Sequence, residues 1–282
     1  MPAEFVILAF TACNDHYIIS NIQMIHNILK DKPTRLFIIL GGFFIANAII
    51  AEIIGVKLFS LEDSIGLPKA DFSLFGAEHL SFSLSVGVLP WPVVFVMTDI
   101  INEYYGVKGV RFLTLLTTAL IIFAFFVFFF AIRMSPDTNY WLGSYQTEGV
   151  PDMQAAFKAI FGQGMNIIVG SLTAFLLGQL VDSLVFRRIK KWTGEKNIWA
   201  RSTISTLVSQ FIDSVVVTYV AFTIFRGVTV GQSMAWAFTA YAYKFLIALL
   251  MTPVIYLIHW GAEKFLGKDT AGEMKRSAMS GY

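Results

Sequence analysis

The sequence predicts an all-α, polytopic membrane protein with six transmembrane helices and both termini in the cytoplasm. Three observations lead there. Of 282 residues, 56% are hydrophobic and only 14% charged, where soluble domains average roughly a quarter charged and under half apolar. Six segments are long and apolar enough to cross a bilayer, which takes about 20 residues at about 1.5 Å rise each. The basic residues also alternate between the connections on the two sides, as expected when cytoplasmic loops carry the excess of Lys and Arg.

Residues 1–35 read as a cytoplasmic N-terminal segment, 36–262 as the six-helix transmembrane domain and 263–282 as a cytoplasmic tail. Before Met24 the chain is moderately apolar but interrupted by Asn14, Asp15, His16 and Asn21. It has no basic start and no small-residue cleavage site, so it does not read as a signal peptide, and translation is expected to begin at Met24.

The first span runs from about Leu36 to Val56, the second from Leu80 to Thr98, and the third, with its Phe-rich run, from Phe112 to Ile132. The fourth is roughly Gly162 to Phe186, the fifth Thr203 to Phe225 and the sixth Ala237 to Trp260. One side receives Lys30, Lys32, Arg35, Lys108, Arg111, the six basic residues between spans four and five, and Lys264, Lys268, Lys275 and Arg276. The other receives Lys57, Lys69, Arg133, Lys158 and Arg226, which places both termini on the cytoplasmic side. The loop from Lys57 to His79 reads as a solvated external connector. The loop from Arg133 to Ala159 carries Trp141 and Tyr residues suited to the outer interface.

A net charge of +2 without a clustered basic face excludes a nucleic-acid-binding surface. Cys13 is alone and can form neither an internal disulfide nor a paired-thiolate zinc site. No cofactor or metal site is predicted.

Ionisable groups inside spans carry the functional signal, because each costs about 2.5 to 3.5 kcal/mol at a helix centre. They are Glu52, Asp182, Asp213 and Lys244. Spans four and five share a Gln-x-x-Asp-Ser repeat, Gln179 to Ser183 and Gln210 to Ser214, and helical spacing puts each amide, carboxylate and hydroxyl on one stripe. Two such stripes could line one cavity; the plainer reading is interhelical hydrogen bonding. A carboxylate accepts two parallel N–H bonds and a Gln amide both donates and accepts, which suits the edge of a planar, guanine-like heterocycle between aromatic rings. Amino acids or cations fit the same groups. Lys244 is assigned to charge balance with Asp213 or Asp182. His259 reads as interfacial, and Asn47 and Asn166 as substrate contacts or helix bridges.

Pro90-Trp91-Pro92 predicts a kink or break within span two, and broken helices in transporters lie beside the substrate; an inert kink is the alternative. Just beyond, Asp99, Asn102 and Glu103 form a polar cluster expected at the cytoplasmic boundary, as a gate or second site.

Thr98-Asp99-Ile-Ile-Asn102-Glu103-Tyr104-Tyr105-Gly106 after Pro-Trp-Pro, the two Gln-x-x-Asp pairs, and Lys244 followed by Thr252-Pro253 resemble the queuosine precursor transporter family, also called the vitamin uptake transporter family. The resemblance runs from about Leu36 to Ala262. It implies a six-helix inner-membrane importer that salvages 7-cyano-7-deazaguanine or its aminomethyl relative for tRNA queuosine. The partners so implied are a 7-deazaguanine substrate and the lipid bilayer, with a homo-oligomer or an energising partner left open. The expected binding residues are Gln179, Asp182, Gln210 and Asp213, with Asn47 and Glu52 contributing.

Three other readings were weighed. A membrane subunit driven by a separate ATPase would bind a vitamin-like heterocycle; this chain has no G-x-x-x-x-G-K-[ST] loop of its own. An intramembrane hydrolase is disfavoured by the lack of H-E-x-x-H and G-x-S-x-G elements. A purely structural scaffold has no need of four buried charges, since Gly and Ser suffice for packing.

Overall fold

The computed structural model describes residues 30–162, 165–193 and 198–280. Cys13 and the segment before Met24 lie outside the described residues, as does the side chain of Asn166. The chain is an all-α, multi-pass membrane protein.

Helix α1 (Lys32–Ile54) starts where the Asp31 carboxylate accepts the Thr34 N–H at 2.9 Å, and Pro33 occupies the first turn, where a missing N–H costs nothing. The following connection is not a plain solvated connector. Strand β1 (Leu58–Ser60), helix α2 (Leu61–Ile65) and strands β2 (Phe72–Leu74), β3 (Ala77–Leu80) and β4 (Ser83–Ser85) form two small antiparallel pairs, β1 with β4 and β2 with β3. Glu62 ties them together, because its Oε1 accepts the Phe82 N–H at 2.8 Å and the Ala70 N–H at 3.4 Å. The Phe82 bond, chiefly, holds the Glu62 carboxyl below the usual carboxylate range.

Helix α3 (Trp91–Arg133) corrects the expected second span. Residues 80–90 belong to the strands and a 3₁₀ turn, Val86–Val88, and the Pro-Trp-Pro element starts the helix instead of kinking it. Proline in a first turn removes a donor that has no helical partner anyway. The break comes at Gly106, with φ 68° and ψ −176°, a region essentially reserved for glycine. A Cβ on Gly109 would sit 3.4 Å from Ile101 Cγ2, whereas eight residues of unbroken helix span about 12 Å. The chain therefore turns back on itself. The first arm runs antiparallel to α1: Gly87 lies against Ala51 and Gly55, and the Tyr105 hydroxyl donates to the Pro33 carbonyl at 2.6 Å. The second arm returns along α1 through Phe37–Phe112 and Gly41–Leu113 contacts. Its Phe-rich stretch faces outward, with Phe123 62% exposed, as lipid-facing side chains do.

After helix α4 (Met153–Phe161) come α5 (Met165–Thr193) and α6 (Ile198–Thr218), the latter extended by a π-helical segment, Tyr219–Ile224. They pack antiparallel in one register: Gly170 against Ala221, Gly178 against Asp213, Asp182 against Ser209. Small residues permit that approach. Helix α7 (Val230–Leu250) is followed by α8 (Thr252–Leu266) and α9 (Lys268–Ser280). The expected sixth span, Ala237 to Trp260, is thus divided, since Pro253 has no N–H to give the Leu249 carbonyl and the helix restarts there. Among the described residues five helical stretches are long and apolar enough to cross a membrane, and the 48-residue stretch Val86–Arg133 is the one that reverses at Gly106. The core joins α1, α3, α5 and α8 around Phe44, Ile100, Ile101 and Phe175, with α9 adding Ala271.

Candidate functional site

Four helices line a narrow cleft whose space, counted with its open mouth, is about 460 Å³. The first arm of α3 supplies Trp91, Pro92, Phe95 and Asp99, positions that recur on one helical stripe. Helix α6 supplies Thr203, Thr206 and Gln210 at similar spacing, α7 supplies Tyr243 and Lys244, and α8 contributes Ile255. The Trp91 and Phe95 rings stack with centroids 5.9 Å apart, and Trp91 also leans on Phe175 at 5.6 Å. One wall is therefore a preset aromatic surface.

The polar groups of this cleft are few and buried. Gln210 is 2% exposed, and among the described residues neither its Nε2 nor its Oε1 has a hydrogen-bond partner. Leaving such an amide unsatisfied costs about 1–3 kcal/mol per group, a cost that a bound ligand with complementary groups relieves. Asp99 is buried and its Oδ2 accepts the Ser202 hydroxyl. Lys244 Nζ lies 2.6 Å from Asp213 Oδ2, so this cation at the cleft edge is neutralised from the next turn of α6.

The two Gln-x-x-Asp-Ser copies meet at the α5–α6 crossing, but only the second reaches the cleft, through Gln210. Gln179 Oε1 accepts the Thr98 hydroxyl at 3.1 Å, and Asp182 Oδ1 accepts the Ser209 hydroxyl at 3.2 Å; both residues stand one layer behind the lining. Glu52 accepts the Ser171 hydroxyl and links α1 to α5. Asn47 donates to the Phe43 carbonyl of its own helix at 2.8 Å. Asn102 donates to the Ser183 carbonyl at 3.3 Å. Glu103 is 2% exposed and its Oε2 lies 3.0 Å from Lys190 Nζ. His259 is buried within the protein, with Nε2 3.4 Å from the Tyr104 hydroxyl and Nδ1 3.7 Å from Glu263.

Sequence reasoning missed Phe95, Thr203, Thr206 and Tyr243 as lining residues, and Lys190 as a buried cation. The signal for Lys190 was present: Gln179, Asp182, Ser183, Phe186 and Lys190 share one helical face, which continues the polar stripe to Glu103. Tyr243 had no signal beyond its place beside Lys244.

A family model described as "Putative vitamin uptake transporter" matches residues 85–258, more than half of the chain. A Bacillus subtilis (strain 168) protein named "Probable queuosine precursor transporter" is 28% identical over 200 residues, covering 68% of this chain and 77% of that protein. The "Queuosine precursor transporter" of Escherichia coli (strain K12) is 26% identical over 180 residues, 63% of this chain and 73% of that protein. No solved structure matches.

Proposed function

The chain belongs to the vitamin uptake transporter family, and we propose that it imports a queuosine precursor, 7-cyano-7-deazaguanine or 7-aminomethyl-7-deazaguanine, for salvage into tRNA queuosine. The membrane is the bacterial cytoplasmic membrane. The two arms of α3 serve as separate spans, so that six crossings leave both termini on the inside. The relatives' names supply the substrate class, and the cleft supplies a chemical fit. The observation that carries the reading is the buried amide of Gln210, unpartnered at both polar atoms among the described residues, in the cleft that Asp99 also lines.

A deazaguanine presents a ring N–H and an exocyclic amine side by side, with a carbonyl next to them. The Asp99 carboxylate accepts from that donor pair and the Gln210 amide N–H donates to the carbonyl; in the aminomethyl relative the Gln210 oxygen also accepts from the side-chain amine next to that carbonyl. Trp91, Phe95 and Tyr243 offer ring faces for stacking. Lys244, held by Asp213, keeps the cleft edge neutral enough for an uncharged heterocycle. The chain acts as a carrier and leaves its substrate chemically unchanged.

The test is uptake of labelled 7-cyano-7-deazaguanine by cells that cannot make their own precursor, comparing wild type with Gln210→Leu at matched membrane expression. Wild-type uptake that collapses in the variant supports substrate and site together. No wild-type uptake despite correct insertion removes the deazaguanine assignment. Copurification with an ATP-hydrolysing subunit would favour the alternative of a substrate-binding membrane subunit for another heterocycle.

A further inference from the structure

Asp182 is 0% exposed, and its Oδ2 has no partner among the described residues. Its Oδ1 accepts one hydroxyl, from Ser209, at 3.2 Å. No cation of the described residues forms a salt bridge with it. Of the charged groups on the elements packed against α5, Glu103 of α3 is paired with Lys190, Asp213 of α6 with Lys244, and Glu52 of α1 takes the Ser171 hydroxyl. On α5 itself Arg187, Arg188, Lys190 and Lys191 follow Asp182, and Asp99 of α3 is the remaining carboxylate on that side. An ionised carboxylate so enclosed has no counter-charge among the described residues to offset its desolvation.

Three serines of α6 lie between Asp182 and the cleft. Ser202, Ser205 and Ser209 are fully buried and fall one turn apart on one face. The Ser202 hydroxyl donates to Asp99, which lines the cleft; Ser209 donates to Asp182; Ser205, between them, also interacts with the Asp182 carboxylate. The Ser205 and Ser209 hydroxyls also donate to the Ser202 and Thr206 carbonyls of their own helix, so the three serines span the interval between the sealed carboxylate and the one at the cleft without being bonded to one another.

We propose that Asp182 is a proton-binding site of the carrier, exchanging its proton with the cleft through Ser209, Ser205, Ser202 and Asp99. Protonated, Asp182 is neutral and sealed. On release, the Ser205 and Ser209 hydroxyls turn from the backbone carbonyls of Ser202 and Thr206, each hydroxyl accepts one proton and passes its own on, so the serines end unchanged, Asp182 becomes a carboxylate and the proton reaches Asp99 and then the cleft. The cost of that buried charge links proton release to separation of α5 from α6, which ties transport to an inward proton gradient. This last step rests on the import function proposed above; the site itself does not.

Infrared titration of the purified protein without substrate tests the site. A protonated-carboxyl C=O band present at neutral pH, lost at alkaline pH, missing in Asp182→Asn and shifted in Ser209→Ala is the expected result. Identical bands in wild type, Asp182→Asn and Ser209→Ala would overturn it. In proteoliposomes, wild-type uptake of labelled 7-cyano-7-deazaguanine rises with an inward proton gradient, Asp182→Glu keeps that response, and Asp182→Asn takes up equal amounts with and without the gradient. Uptake that follows a sodium gradient and ignores pH contradicts the coupling. Absence of any wild-type uptake counts against the substrate assignment, while the infrared result still decides on Asp182.

Discussion

Removing the ammonium from the Lys244–Asp213 pair is a direct test of how the cleft edge is held together. The two charges lie 2.6 Å apart, with side chains only 12% and 19% exposed. Breaking a buried pair by removing one partner costs about 3–5 kcal/mol, and the residual exposure of both ends places this pair at about 3 kcal/mol. Lys244→Met leaves the Asp213 carboxylate without its cation, and the folded fraction relative to the unfolded falls roughly 150-fold. Asp213→Asn strands the ammonium and costs a similar amount. The double variant strands neither, so it recovers to within about 1 kcal/mol of wild type, a coupling of several kcal/mol. Reversible unfolding in mixed micelles, run as a double-mutant cycle, measures it. If the single effects add without recovery, the pair contributes nothing as a pair, and the account of Lys244 as a neutralised group at the cleft edge fails.

Gly106→Ala places a side chain at φ 68° and ψ −176° and within 3.1 Å of the Ala278 carbonyl. Backbone strain of order 1–3 kcal/mol is expected, with α9 loosened from the turn of α3 and cut faster by protease. Trp91→Ala removes a stacking face worth about 1–3 kcal/mol and weakens equilibrium substrate binding accordingly, whereas Trp91→Phe keeps most of it. Glu62 has a folded-state pKa below its unfolded value, chiefly because it accepts the Phe82 N–H. Its contribution to the strand-bearing connection after α1 is therefore present above the unfolded value and lost as pH falls through the lowered one. Hydrogen exchange of the Phe82 and Ala70 amides shows that acid-side step in wild type, and Glu62→Gln abolishes it.

Hydropathy made the membrane class legible because a run such as Phe123 to Phe130 has no soluble explanation. Helix ends were harder. Pro-Trp-Pro is compatible with a kink or with a start, and only the strands before it, β3 and β4, decide between them. Those strands escaped notice because three- and four-residue segments carry too little periodicity. The reversal at Gly106 was likewise hidden, since glycine within an apolar pattern reads as an ordinary packing position. At the site, the polar stripes of α5 and α6 were visible from spacing alone. Which stripe reaches the cleft was not, because that depends on how the antiparallel crossing at Gly178 rotates Asp182 toward Ser209 and leaves Gln210 facing α3 and α7. Lys190 was counted as a loop charge because hydropathy places the span end near Phe186, one turn before the helix buries its cation against Glu103.

The central claim is that the unpartnered amide of Gln210 meets the edge of a deazaguanine. Equilibrium binding of 7-cyano-7-deazaguanine to purified wild type and Gln210→Leu tests it most directly. Losing the hydrogen bond to the ligand carbonyl and leaving that carbonyl unpaired costs about 1–3 kcal/mol, which predicts a Kd raised roughly ten-fold or more in the variant, with unfolding stability kept or improved as the orphaned amide disappears. An unchanged Kd in Gln210→Leu, with wild type binding well, would contradict the account.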